Sequence, residues 1–203
     1  MTNLYFIRHG EACVLKDGIV DDFGLTEEGR SQAEKLRDRL IATEEIKADV
    51  LIASSFLRAK QTAETIAPAF DHTPILLDDE FQELRPGKAL GLTKERLDEL
   101  LTDYSPATNP FAAIAPEAEN WPQFVLRIGS AIHRVCALYG GRTVVIVCHG
   151  GVIECTFQYF FGLNPFKLPA VQLPVSNTSI TQWSIDEAGK AALIKFNDAR
   201  HLN

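Results

Sequence analysis

The run Thr143-Val144-Val145-Ile146-Val147-Cys148 constrains this chain more than any other segment. Consecutive apolar and β-branched residues with no alternation predict a strand covered on both faces, the kind found inside a largely parallel sheet flanked by helices. Neighbouring segments agree. Leu4-Tyr5-Phe6-Ile7 predicts an opening strand, residues 49–54 a second and residues 74–77 a third. Thr26, followed by Glu27 and Glu28, predicts a capped helix to about residue 42, with Ala33, Leu36 and Leu40 on its buried face. Ser55 is expected to cap a helix over 56–67 that Pro68 ends. Further helices are expected over 93–102, over 119–138 with Val125, Ile128, Ile132 and Val135 inward, and from Gly150-Gly151 to about 161. Two last strands, 179–184 and 191–196, are separated by a short turn at 186–189 and should pair antiparallel.

The expected fold is therefore α/β: a three-layer α/β/α sandwich whose sheet is mostly parallel but mixed. A length of 203 residues fits a single domain, 1–203. Within it, residues 81–122 are broken by Pro86, Pro106, Pro110 and Pro116 and are expected to cover the substrate as an insertion over one end of the sheet.

The net charge of −7 argues against general affinity for nucleic acid or anionic membranes, while leaving room for a locally basic pocket. Cys13, Cys136, Cys148 and Cys155 include no Cys-x-x-Cys pair, so a disulfide framework is not expected. The first residues lack a basic segment followed by a long apolar one, and no apolar run approaches ~18 residues. These features point to a cytoplasmic enzyme.

In an open α/β sheet, ligands bind beyond the carboxyl ends of the strands. Arg8-His9-Gly10 follows the first strand, Ser54-Ser55 and then Arg58 the second, Glu83 the third and His149-Gly150-Gly151 the central one. Four separated stretches thus bring two histidines, two arginines and a carboxylate to one edge.

Arg8-His9-Gly10-Glu11 resembles the Arg-His-Gly signature of the histidine phosphatase (phosphoglycerate mutase-like) superfamily. Leu25-Thr26-Glu27-Glu28-Gly29 is similar to that family's Leu-Thr-x-x-Gly helix start. Ser54-Ser55-Phe56-Leu57-Arg58-Ala59-Lys60-Gln61-Thr62-Ala63 is similar to its Ser-x-x-x-Arg-Ala-x-Gln-Thr-Ala motif. Gln82-Glu83-Leu84 matches the place of its acid, and Cys148-His149-Gly150-Gly151 its second histidine motif. The motifs stand in family order and span nearly the whole chain.

The resemblance implies a phosphatase in which His9 carries the phosphoryl group as a phosphohistidine that water hydrolyses. Physical chemistry suits each position. Arg8 and Arg58 can bind the equatorial oxygens through bidentate, charge-assisted bonds. His9 attacks only as neutral imidazole, and nearby arginines disfavour imidazolium. His149 serves as an electrostatic partner, either protonated or donating a hydrogen bond. Gly150 opens a helix N-terminus suited to an anion. Glu83 is the candidate general acid. Glu11, Lys16, Arg85, Lys88 and Thr178 are further candidates for binding phosphate or substrate.

No His-x-x-His or His-Glu-x-x-His pattern occurs, and two arginines would repel a cation, so neither metal nor other cofactor is expected. The favoured substrate is a small phosphorylated metabolite, with inorganic phosphate as product. Three alternatives stand beside it: a phosphoglycerate-type mutase, a protein phosphohistidine phosphatase and a non-catalytic phospho-ligand module. Against a mutase, residues 12–18 read Ala-Cys-Val-Leu-Lys-Asp-Gly instead of carrying Asn and Trp, and 115–120 depart from Gly-Glu-Ser.

Overall fold

The computed structural model describes residues 1–102 and 104–203; Asp103, within the expected 81–122 insertion, lies outside the described residues. The strands in chain order are β1 (Thr2–Arg8), β2 (Leu15–Lys16), β3 (Ile19–Val20), β4 (Val50–Ala53), β5 (Ile75–Leu77), β6 (Thr143–Cys148), β7 (Ile180–Ile185) and β8 (Ala191–Asp198). The helices are α1 (Glu27–Thr43), α2 (Leu57–Ile66), α3 (Lys94–Thr102), α4 (Trp121–Leu138) and α5 (Gly150–Phe160).

One six-stranded sheet runs in the order β5-β4-β6-β1-β7-β8. β6 lies between β4 and β1 and is parallel to both, as β5 is to β4; β7 and β8 run antiparallel at the other end. The alternation of β1 divides the core. Leu4 and Phe6 join Val144, Ile146 and Cys148 under α4 and α5. Tyr5 and Ile7 join Val145 and Val147 under α1 and α2. Helices therefore cover both faces, which gives the three layers. Each such side chain, taken fully out of water, contributes about 1.5–3 kcal/mol before entropic costs.

Side-chain caps explain where α1 and α4 begin. The Thr26 hydroxyl accepts from the Gly29 N–H at 3.0 Å. Asn120 and Gln123 form a reciprocal capping box that starts α4 two residues later than the sequence suggested. Ser55 does not cap α2. Its hydroxyl donates to the Asp79 carboxylate and accepts from Gln82 Nε2 at 2.8 Å, while Phe56 takes the cap position. An ionised acceptor on the neighbouring turn makes the stronger bond, so the serine faces it.

The β2–β3 hairpin escaped sequence reading because its strands have two residues each. It is fastened to the proline-broken segment: Ile19 bridges Thr93, and the Val20 N–H donates to the Leu92 carbonyl at 2.9 Å. On its other side that segment reaches the 163–173 stretch, through Phe111 stacked on Phe166 and Trp121 Nε1 donating to the Lys167 carbonyl at 3.2 Å. Among the described residues, no helix is long and apolar enough to cross a membrane.

Candidate active site

β1, β4 and β6 are parallel and end in register, so Arg8-His9, Ser54 and His149 emerge at one edge. The His9 and His149 rings meet edge to face, 5.1 Å apart. Arg58, in the first turn of α2, lays its guanidinium beside them: Nε donates to His9 Nε2 at 3.1 Å. Three of the five groups expected at one edge, His9, His149 and Arg58, are thus in mutual contact.

The hydrogen bonds fix the tautomer of His9. Nδ1 lies 2.6 Å from the Gly10 carbonyl, which can only accept, so Nδ1 bears the proton. Nε2 then holds the lone pair and accepts from Arg58. Burial, followed by Arg58 and Arg8, lowers the His9 pKa to about 3, against an opposing pull from the Gly10 carbonyl. Burial and then Arg58 likewise hold His149 well below the usual histidine range. Of the two states open to His149, these surroundings select the neutral ring. Its Nε2 shares a 2.8 Å hydrogen bond with Ser54 Oγ, and its buried Nδ1 has no partner among the described residues.

The loop that carries His9 is pressed against α1. A Cβ on Gly29 would stand 1.9 Å from the Glu11 carbonyl oxygen, and one on Gly10 would stand 2.3 Å from the Gly29 carbonyl oxygen. This mutual approach gives Gly29 of the Leu-Thr-x-x-Gly stretch its physical reason. The Gly10 N–H donates to Thr62 Oγ1 at 3.1 Å, tying the loop to α2 as well.

Arg8 donates from Nη1 to the Val175 carbonyl, while its buried Nε has no partner among the described residues. Burial lowers its pKa, with Glu83 acting in opposition. Arg58 is steadied by Asp22, whose carboxylate lies 3.2 Å from Nη1. Glu83 sits against the N-terminus of α5. One carboxylate oxygen accepts from the Gly151 N–H and the other from the Leu84 N–H, each at 3.0 Å. A Cβ on residue 151 would come within 2.3 Å of Glu83 Oε1, so glycine there makes the approach possible. Gly150 lies beside the Arg8 guanidinium, where a Cβ would stand 3.7 Å from Arg8 Nε.

The remaining candidates occupy different places. Glu11 accepts from the Thr26 hydroxyl at 2.8 Å. Lys16 stands exposed on β2. Arg85 is held by Gln82 at 2.9 Å and Glu80 at 3.1 Å, and Lys88 pairs with Glu117 at 2.6 Å. Thr178 is fully buried, with its hydroxyl turned to Asn177 and His201.

Several supporting residues stand outside any sequence motif. Arg127, buried on α4, donates to the carbonyls of Glu80, Gln82 and Glu83 and pairs with Glu119 at 2.6 Å, clamping the acid's loop. An arginine next to the apolar stripe of α4 was the available signal. Asp22 and Asn177 gave none, because their partners are set by tertiary contact. Among the described residues, no three His, Cys, Asp or Glu side chains are grouped to hold a metal ion.

Residues 4–199 match the family described as Histidine phosphatase superfamily (branch 1). The protein named "Probable phosphatase C1687.21" from Schizosaccharomyces pombe is 28% identical, over 98% of this chain and 94% of that one. The solved structure of Bacillus stearothermophilus YhfR is 26% identical, covers all of both chains and superposes with a TM-score of 0.81. A phosphoserine phosphatase mutant from Entamoeba histolytica, solved in complex with phosphoserine, shares the fold at a TM-score of 0.76, with 23% identity and full coverage of both chains.

Proposed function

The chain belongs to the histidine phosphatase superfamily (branch 1) and is an enzyme of its phosphatase kind, and on that premise we propose that it hydrolyses a small phosphomonoester through a phosphohistidine on His9. The observation that carries this reading is the His9 tautomer: with Nδ1–H spent on the Gly10 carbonyl, Nε2 is left as a neutral nucleophile between Arg58 and His149.

In the first half-reaction His9 Nε2 attacks phosphorus, the N–P bond forms and the ester P–O bond breaks. Arg8, Arg58 and a ring N–H of His149 hold the equatorial oxygens as charge moves onto them. Glu83 gives its proton to the leaving alkoxide. In the second half-reaction water attacks the phosphohistidine, the N–P bond breaks and Glu83 takes the water's proton back. Inorganic phosphate leaves and His9 is neutral again. The guanidiniums supply the positive charge, so the reaction runs without a metal ion.

Two features support a small substrate with one anionic group. The hairpin and the 81–122 segment are joined to each other, as a cover over a small molecule requires. Arg85 and Lys88 are matched by Glu80 and Glu117, which leaves them poorly placed to greet a second phosphate.

The test is hydrolysis of p-nitrophenyl phosphate in EDTA. Wild-type turnover should survive the chelator, and His9→Ala should lose at least ~10⁴-fold in kcat. Sustained turnover by His9→Ala would refute the nucleophile, and dependence on added divalent ions would refute the metal-free chemistry.

A further inference from the structure

Behind His9 lies a chain of polar groups that phosphoryl transfer itself does not use. Arg39, nearly buried, donates to both oxygens of Glu45 and of Asp198, at 2.6–3.1 Å. Its Nη1 also lies 3.3 Å from His201 Nδ1. A guanidinium has donors only, so that ring nitrogen accepts and the His201 proton sits on Nε2. Nε2–H therefore donates to Thr178 Oγ1 at 2.8 Å, and the Thr178 O–H is directed to the Asn177 carbonyl at 2.7 Å.

Thr178 has φ of +55°, a left-handed conformation that a β-branched residue adopts only when its surroundings impose it. What that conformation achieves is visible in its backbone. The Thr178 N–H donates to the Arg8 carbonyl at 3.0 Å, and Asn177 Nδ2 donates to the His9 carbonyl at 2.9 Å. These two bonds grip the last residue of β1 and the one after it.

We propose that His201, held by Arg39, is a positioning residue for the nucleophile: through Thr178 it fixes the peptide planes of Arg8 and His9 and thereby the aim of the His9 ring. The inference rests on the reading of His9 as nucleophile. It assigns to Thr178 and His201 a role that needs no contact with the phosphoryl group. Misplacement of a reacting atom by about 1 Å can cost ~10²-fold in rate, so a device of this kind acts on kcat.

The experiment measures kcat and KM for p-nitrophenyl phosphate, with thermal midpoints, for His201→Ala, Thr178→Val, their double variant, Thr178→Ser and His9→Ala. Valine keeps the shape of threonine and removes the hydroxyl. Thr178→Val and His201→Ala should each lose roughly tenfold or more in kcat with KM within about threefold, well below their melting temperatures. The double variant should be no slower than the worse single one, and Thr178→Ser should recover most of the rate. Wild-type kcat in Thr178→Val, multiplicative losses in the double variant, or no rescue by serine would each overturn the proposal. If His201→Ala does not fold, the valine and serine pair decides alone. Turnover by His9→Ala would instead sink the underlying reading.

Discussion

At the residue scale the protonation state of His9 decides what the site can do. With its pKa lowered to about 3 by burial, Arg58 and Arg8, the ring is neutral throughout the range in which an ordinary histidine titrates. Ring ¹⁵N shifts of His9 should therefore stay those of a neutral imidazole from pH 8 to pH 5; a transition near pH 6.5 would contradict the geometry. Glu83 supports a second prediction. Glu83→Gln keeps an acceptor near the Gly151 and Leu84 N–H groups but has no transferable proton. It should slow an alkyl phosphate by ~10²-fold or more and p-nitrophenyl phosphate far less, because nitrophenolate leaves without a proton. Equal slowing of both would point to another acid. The residues proposed to react could be picked out because each stands in a local motif near a strand end. Asn177, Asp22 and His201 were not, since their partners are backbone carbonyls or distant side chains that no local pattern marks.

At the scale of elements, the contact between α1 and the His9 loop is the most exacting. Alanine is ordinarily better than glycine inside a helix by about 1 kcal/mol. Here a methyl on Gly29 would stand 1.9 Å from the Glu11 carbonyl oxygen, so the loop must move. Gly29→Ala should thus destabilise by roughly 1–3 kcal/mol in urea and lower kcat as well. A stabilised, fully active variant would show that the loop gives way freely. Strand and helix existence followed from periodicity, since β6 has no alternation and α4 has a clean apolar stripe. Two-residue strands carry no periodicity, which is why the hairpin was invisible. The start of α2 was misread because Ser55 chose a carboxylate over the helix end.

For the whole molecule, the buried histidines set the response to acid. His9 and His149 are neutral when folded and regain ordinary pKa values when unfolded. Between about pH 6.5 and the lowered folded values, the unfolded chain binds more protons, so stability falls as pH falls. Each of the two contributes up to about 1.4 kcal/mol per pH unit in that window. His201, lowered to about 4 by burial and Arg39, acts in the same direction. Glu45, lowered to about 2, and Asp198, also lowered, extend the loss further into acid as their ion pairs with Arg39 are protonated away. Urea midpoints should decline steadily from pH 7 to pH 5, and replacing His149 by Gln should flatten the slope. A midpoint unchanged over that range would mean that these rings ionise within the fold. The three-layer arrangement was legible from the order of elements, whereas this acid response was not, because it depends on which side chains tertiary packing removes from water.

The 3.1 Å bond from Arg58 to His9 has a consequence for selectivity. On the proposed reading, the resting catalyst has its safety catch on: the electron pair meant for phosphorus is already lent to a guanidinium. An uncharged electrophile offers Arg58 nothing in exchange and meets a blunted imidazole. A phosphate draws the guanidinium to its own oxygens as it docks, so the cargo arms the weapon aimed at it.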